Sequence, residues 1–193
     1  MGQSGDAVSI LRNAAIAFCL AWLLVDSLLV FRHKTDSAES RDRFSLKLLM
    51  IGSMLALWAS IGLAFSTIAA MHSAALQATG LVIMGIGILV RTTAIAQLGR
   101  FHTPNVAIRA DHQLKVTGLY RFVRHPSYLG ALIAYFGFSL ALGNWLSVAV
   151  IMGITPCLYL YRIHEEDAAM LAAFGDAYRA YCARTKRLIP WVY

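Results

Sequence analysis

Residues 126–161 of the chain read PSYLGALIAYFGFSLALGNWLSVAVIMGITPCLYLY. The stretch contains two apolar runs of 17 residues each, 126–142 and 145–161, which only Gly143-Asn144 separates. A Gly-Asn pair between apolar runs is a turn signal, so the stretch predicts a tight hairpin of two helices. At about 1.5 Å per residue each arm is about 25 Å long, close to the thickness of the hydrocarbon core of a membrane.

The composition places the whole chain in a membrane. Of 193 residues, 59% are hydrophobic and 14% are charged, an apolar excess that a soluble domain of this length cannot bury. The sequence therefore predicts an all-α, polytopic membrane bundle of about five transmembrane helices, folded as one domain over residues 1–193. Three spans are predicted within residues 1–95, at 8–31, 48–70 and 79–95, and residues 96–193 hold a long connection, the short hairpin and a tail.

Lys and Arg are distributed unevenly among the connections. The connections at 32–47 and 91–124 and the tail from residue 162 carry five, six and five of them, whereas 71–78 and 143–144 carry none. The positive-inside rule then places the N-terminus outside and the C-terminus in the cytoplasm. The expected location is the cytoplasmic membrane of a prokaryote or the endoplasmic reticulum of a eukaryote.

The net charge of +7 does not indicate a nucleic-acid partner. The basic residues lie between apolar runs, and no DNA- or RNA-binding motif is present, so membrane lipids are the expected partners. The three cysteines, Cys19, Cys157 and Cys182, are far apart and predict free thiols. Neither the cysteines nor the histidines show metal-ligand spacing, so no metal site is predicted.

A charged motif precedes the first arm of the hairpin. Arg124-His125-Pro126-Ser127-Tyr128 places two basic side chains, a proline and a phenol directly before the apolar run. Pro126 suits the first turn of a helix, and the N-terminus of that helix attracts a carboxylate or another anion. The motif therefore predicts a ligand site, while a basic interfacial anchor with Tyr128 in an aromatic belt is the simpler alternative.

A second charged cluster follows the hairpin. Arg162 and Glu166 are four residues apart, so on a helix they share one face. Most such pairs are exposed and contribute little, but a partly desolvated pair beside the membrane is a candidate site. The tail beyond it predicts a cytoplasmic amphipathic helix with apolar and aromatic residues at Leu171, Phe174, Tyr178 and Tyr181.

Asp26 is the one acidic residue inside the first predicted span. A carboxylate at this depth is costly unless it reaches water or a partner. Two readings stay open from the sequence: the side chain extends toward the helix end, or it faces the interior of the bundle.

Several segments resemble the isoprenylcysteine carboxyl methyltransferase family. The matching segments are YRFVRHPSYLG at 120–130, RIHEE at 162–166, FGDAYRAY at 174–181 and Ile189-Pro190. The upstream segment HQLKVTGLY at 112–120 also resembles that family, with Lys115 in place of a usual valine. The resemblance covers residues 99–190, while the first three predicted helices match only in being hydrophobic.

The resemblance implies an S-adenosylmethionine-dependent methyltransferase without a Rossmann domain. Within it, Arg162 and Glu166 are the implied catalytic residues, with Arg162 binding the carboxylate of the substrate and Glu166 also contacting the cofactor. The implied cofactor-binding residues are His112, Gln113, Leu114, Lys115, Tyr120, His125, Pro126, Ser127, Tyr128 and Glu166.

The expected reaction is methyl transfer from S-adenosylmethionine to a lipophilic acceptor. The carboxylate of an isoprenylated cysteine or a similar lipid-like carboxylate is the leading acceptor, and a phospholipid amine or a small thiol is the alternative. Two other classes stay in play: a membrane reductase, since sterol reductases resemble this architecture in their C-terminal half, and a non-catalytic membrane protein whose basic loops bind lipid.

The charge distribution makes a direct prediction about topology. Arg41, Arg109 and Arg184 are expected in the cytoplasm and Ser73 on the opposite side of the membrane. Cysteine-accessibility labelling or reporter fusions at these four positions will test it. An external signal at Arg109 would contradict the arrangement with five membrane helices.

Overall fold

The computed structural model describes residues 2–32, 44–99 and 114–189. Within these ranges the chain forms α-helices, one 3₁₀ turn and two isolated β-bridges, so the predicted all-α class is confirmed. The helices are α1 (Gly2–Arg32), α2 (Phe44–Leu63), α3 (Ala74–Leu98), α4 (Pro126–Ala141), α5 (Trp145–Phe174) and α6 (Asp176–Arg184), and the 3₁₀ turn Gly118–Arg121 precedes α4.

Four helices of the described chain are long and apolar enough to cross a membrane. They are α1 over Asp6–Leu28, α2, α3 and α5. α4 is also apolar but has 16 residues, about 24 Å of helix, which is shorter than a hydrocarbon core of about 30 Å. The protein is thus an integral membrane bundle of four full-length apolar helices and one short one, which refines the expected number of about five.

The predicted turn between α4 and α5 is present. Gly143 has a φ of +72°, a conformation that glycine adopts without strain. Asn144 caps α5, because its side-chain oxygen accepts hydrogen bonds from the backbone N–H groups of Leu146 and Ser147. Its Nδ2 donates to two carbonyls, those of Leu63 at 3.0 Å and Ile68 at 2.9 Å. The hairpin is therefore fastened to the end of α2.

α2 is shorter than the predicted segment 48–70. It ends at Leu63, and residues 64–73 form turns that pack against the hairpin. The backbone N–H of Met71 donates to the carbonyl of Gly143 at 2.7 Å, and that of Trp145 donates to the carbonyl of Ala69 at 3.0 Å. These bonds supply partners for backbone groups that would otherwise require a longer helix in an apolar setting.

α3 and α4 pack antiparallel at very close range, and glycines make this possible. Gly80 and Gly87 of α3 face Gly137 and Gly130 of α4, respectively. A Cβ atom added at any of the four would lie closer than 3.0 Å to backbone atoms of the opposite helix. Small residues allow helices in membranes to approach each other in this way. The pairing fixes the position of α4 and therefore of the motif at its start.

The polar segment after the hairpin is part of α5. The sequence predicts an arm that ends at residue 161 and a separate tail helix, but α5 continues to Phe174, and Gly175 with a φ of +50° separates it from α6. The tail prediction was therefore wrong in its boundaries, since Leu171 and Tyr178 lie on two helices. The apolar period stops at Arg162, but helical hydrogen bonding does not depend on that period. Arg162 and Glu166 are held on a rigid extension of the membrane helix.

The close packing of α3 and α4 predicts a difference between two glycines of the same helix. Gly87→Ala would force the helices apart and is expected to destabilise the protein by about 1–3 kcal/mol, the usual cost of overpacking. Gly85→Ala is the matched control, because nothing lies within 4 Å of a Cβ atom at that position. The thermal midpoint of each variant in one detergent measures the difference. Equal midpoints would contradict the close approach.

Candidate functional site

The start of α4 is bonded to the C-terminal segment of the chain. The backbone N–H of Arg124 donates to the carbonyl of Lys186 at 2.8 Å, and that of His125 donates to the carbonyl of Arg187 at 3.1 Å. Pro126 is the first residue of α4, as predicted. We call this end of the bundle the motif end: it contains residues 124–128, residues 162–174 of α5, α6, and residues 185–189.

His125 is buried and fixed on two sides. Its side chain is 5% exposed, and Nε2 lies 2.8 Å from Oδ1 of Asp167. Its ring stacks on that of Tyr128, with centroids 5.6 Å apart and an angle of 7° between the planes. The other ring nitrogen, Nδ1, lies 4.0 Å from Oε2 of Glu166. The imidazole therefore has one nitrogen engaged and the other on the side of a second carboxylate.

Tyr128 links Arg162 to Glu166. Its hydroxyl donates to Oε2 of Glu166 at 2.6 Å and accepts from Nε of Arg162 at 3.4 Å. The two residues do share one face of α5, but no direct ion pair joins them within the described structure. The predicted direct pair of Arg162 and Glu166 is therefore corrected. Two hydrogen bonds through the hydroxyl of Tyr128 connect the two charged groups instead.

Arg162 is almost completely buried, with 2% of the residue exposed. Its Nη1 donates to Oγ of Ser45 at 2.7 Å, and Ser45 lies in the first turn of α2 and is 1% exposed. A buried guanidinium requires hydrogen-bond acceptors, and Ser45 is one of them. This bond connects α2 to the site. Ser45 was not among the predicted residues, since no pattern in its apolar segment distinguishes it.

Asp167 was also missed by sequence reasoning. Its carboxylate accepts from the hydroxyl of Tyr178 at 2.5 Å and from Nε of Arg187 at 2.9 Å, in addition to its contact with His125. Burial, followed by the bond to Asp167, raises the pKa of the Tyr178 phenol well above its usual value. Tyr178 is therefore a protonated donor at neutral pH. The only signal for Asp167 in the sequence was its place directly after Glu166.

The other predicted cofactor residues are less tightly grouped. Ser127 lies in the first turn of α4, while Leu114 and Lys115 are half-buried in the irregular segment before the 3₁₀ turn. The hydroxyl of Tyr120 donates to the carbonyl of Ala94 at 3.3 Å, so it is occupied by the backbone of α3. His112 and Gln113 lie outside the described residues.

Asp26 faces the interior of the bundle, which decides between the two readings of the sequence. Its carboxylate forms a two-point ion pair with Arg91 of α3, with Oδ1–Nε and Oδ2–Nη2 both at 2.7 Å. Nη1 of the same arginine lies 3.4 Å from the carbonyl of Ser127. The pair thus connects α1 and α3 to the first turn of α4.

A row of aromatic rings leads from the motif end into the bundle. The ring of Tyr128 contacts that of Tyr159 at a centroid distance of 5.3 Å, Tyr159 lies 6.4 Å from Tyr135, and Tyr135 lies 5.6 Å from Trp22. The last three are each 5% exposed. The row joins α4 and α5 to α1 with apolar surface adjacent to the charged groups.

Comparison with known proteins places this arrangement in context. Residues 78–172 match the model of the isoprenylcysteine carboxyl methyltransferase (ICMT) family. A protein-S-isoprenylcysteine O-methyltransferase of Schizosaccharomyces pombe is 32% identical over 118 residues, 60% of this chain and 50% of that protein. Methanethiol S-methyltransferase 1 of Bradyrhizobium diazoefficiens is 36% identical over 79 residues, 41% of this chain and 27% of that protein.

A solved structure is also similar. It is the structure of the eukaryotic intramembrane Ras methyltransferase ICMT. The two superpose with a TM-score of 0.56 at 25% sequence identity, and the superposition covers 76% of this chain and 52% of that chain. The match therefore spans about half the length of the Schizosaccharomyces pombe protein and of the solved structure. Together, the family match over 78–172, these relatives and this superposition confirm that the chain is related to the isoprenylcysteine carboxyl methyltransferase family.

Proposed function

We propose that this chain is a membrane methyltransferase that uses S-adenosylmethionine and acts on a lipophilic acceptor carrying a carboxylate, such as an isoprenylated cysteine. The observation that carries the proposal is the hydrogen-bonded series Arg162–Tyr128–Glu166. In it a buried cation and a carboxylate lie on either side of one phenol. The topology from the positive-inside rule would place this end in the cytoplasm, where S-adenosylmethionine is made.

The groups at the motif end suit the charges of S-adenosylmethionine. Glu166 has a side chain 33% exposed and can face the positively charged end of the cofactor. The amino group of the cofactor would lie between Glu166 and Nδ1 of His125, which is an acceptor when Nε2 carries the hydrogen. The carboxylate of the cofactor would lie at the N-terminus of α4, where a helix attracts anions. Tyr128 would line the space between. The contributions of Leu114, Lys115, His112 and Gln113 stay predictions from the family resemblance.

Arg162 suits an acceptor carboxylate. A guanidinium can bind a carboxylate through two parallel hydrogen bonds, and burial strengthens that interaction because water does not compete for it. Ser45 and Tyr128 hold this side chain from α2 and α4, so its position is set before the acceptor arrives. We assign Arg162 to the acceptor and Glu166 to the cofactor.

The apolar part of the acceptor would lie along the bundle. The aromatic row from Tyr128 to Trp22 begins beside the charged groups and continues between membrane helices. The rings of Trp22, Tyr135 and Tyr159 are packed together and 5% exposed, so a tail would meet the row at its partly exposed end, beside Tyr128. An acceptor that joins a lipid tail to a carboxylate would satisfy both parts of this surface.

The reaction needs positioning more than it needs acid–base chemistry. S-adenosylmethionine supplies an activated methyl group, and an ionised carboxylate is already a nucleophile. The protein must therefore align the two and keep water out, and alignment alone can account for a large part of a rate enhancement. The rigid extension of α5 carries both charged residues, which fixes their separation.

A thiol acceptor is the second candidate. The similarity to methanethiol S-methyltransferase 1 over 79 residues favours it. A small thiolate has a single anionic atom and would not require the two-point grip of a guanidinium. The dependence of turnover on Arg162 therefore distinguishes the two acceptors.

The proposed roles predict different defects for Arg162→Ala and Glu166→Ala. Arg162→Ala should abolish transfer to a prenylcysteine carboxylate and should lower the affinity for S-adenosylmethionine less than Glu166→Ala does, although it also removes the bonds to Ser45 and Tyr128. Glu166→Ala should weaken cofactor binding by about 1.5–3 kcal/mol, the range for a hydrogen bond to a charged group. Calorimetric affinity and single-turnover transfer of a labelled methyl group, measured in one detergent, separate the two steps.

Arg162→Lys is the matched control, because it keeps the positive charge and removes the planar guanidinium. It should recover little transfer, because an ammonium cannot reproduce the two-point grip. An Arg162→Ala protein that still methylates a small thiol but no carboxylate would favour the second candidate. Wild-type protein that binds no S-adenosylmethionine would contradict the proposed function altogether.

A further inference from the structure

Asp167 is the most connected carboxylate of the motif end, and neither the sequence motifs nor the proposed mechanism gives it a role. It contacts three separate segments: His125 before α4, Tyr178 on α6 and Arg187 in the C-terminal segment. The Nε of Arg124 lies 4.0 Å away as a fourth neighbour. Its own side chain is 12% exposed.

The contact between Asp167 and His125 limits the chemistry of the imidazole. An ionised carboxylate can only accept hydrogen bonds, so the nitrogen that faces it, Nε2, must carry a hydrogen. That holds for the neutral ring and for the protonated ring alike. The nitrogen left for any other partner is Nδ1, which lies on the side of Glu166.

Two further contacts and the burial of the side chain restrict the ring of His125. The ring stacks on Tyr128, the backbone N–H of His125 is bonded to the carbonyl of Arg187, and the side chain is 5% exposed. Arg187 also binds the other oxygen of Asp167, so the carboxylate and the backbone of His125 are held by one residue. The ring orientation is thus set by Asp167 together with the C-terminal segment.

We propose that Asp167 is a positioning residue of the methyl-donor site, which fixes His125 with Nε2–H on its own carboxylate and presents Nδ1 to the cofactor. The inference rests on the proposed function for the identity of the ligand, but the ring geometry stands without it. Asp167 itself would not touch the cofactor, since its carboxylate already faces His125, Tyr178 and Arg187. Its effect on binding would pass through the imidazole.

Asp167→Asn is the test variant, because it keeps the shape of the side chain and removes the charge. The amide of the asparagine can donate its NH₂ group to Nε2. Nε2 then no longer has to carry a hydrogen, and the neutral ring can carry it on Nδ1. We expect the affinity for S-adenosylmethionine to fall about tenfold or more. We also expect the ¹⁵N signals of the His125 ring, assigned with a His125→Gln protein, to report a changed tautomer.

Tyr178→Phe is the matched control. It removes another partner of the same carboxylate and leaves the contact with His125 in place. Its affinity for S-adenosylmethionine should stay within about twofold of wild type and its ring signals should stay unchanged, even if the thermal midpoint falls. A difference between the two variants separates a positioning role from a purely structural one.

Three results would overturn the proposal. The first is a wild-type spectrum in which neutral His125 carries its proton on Nδ1, which decides the matter even if Asp167→Asn does not fold. The second is an Asp167→Asn protein with wild-type ring signals and affinity. The third is an equal loss of affinity in both variants. Failure of the wild-type protein to bind S-adenosylmethionine would instead remove the proposed function, while the ring signals would still show whether Asp167 sets the imidazole.

Discussion

The burial of one guanidinium governs the arrangement of the motif end. Arg162 is 2% exposed at the point where α5 passes from apolar to polar sequence. A charge in such a place is costly unless hydrogen bonds and opposite charge surround it. Ser45 from α2 and Tyr128 from α4 supply two of these bonds. The hydroxyl of Tyr128 in turn donates a hydrogen bond to Glu166. Three helices therefore converge on one side chain.

The convergence depends on the position of α4, which the glycines of α3 and α4 determine. Because Gly87 and Gly130 let the two backbones approach, the first turn of α4 lies beside Arg91. That arginine is neutralised by Asp26 and also approaches the carbonyl of Ser127. A shift of α4 would disturb the ion pair and the bonds of the motif together, so helix packing and site geometry are one constraint.

The sequence predicts the parts of this structure that depend on local patterns. The apolar runs and the Gly143-Asn144 turn predict the hairpin, and Pro126 marks the start of α4. Spacing also places Arg162 and Glu166 on one face, but it cannot show that the phenol of Tyr128 lies between them. Ser45 is 117 residues from Arg162, and only the tertiary fold brings them together.

The boundaries that sequence reasoning missed share a physical cause. The end of α2 at Leu63 depends on the bonds that the following turns make with the hairpin, and the extension of α5 to Phe174 depends on helical bonding beyond the apolar run. Hydrophobic periodicity reports where a helix contacts lipid or core, and not where its hydrogen bonding ends. Asp167 was missed for the same reason, because it lies on that extension.

We propose that the methyl donor binds between His125, Tyr128 and Glu166, next to the acceptor carboxylate that Arg162 would hold. A cryo-electron microscopy or crystal structure of the protein with S-adenosylhomocysteine tests it most directly. We expect density for the ligand at the start of α4, within hydrogen-bonding distance of Glu166 and of Nδ1 of His125. Ligand density elsewhere on the bundle, with none beside Arg162, Tyr128 and Glu166, would contradict this placement of the methyl donor.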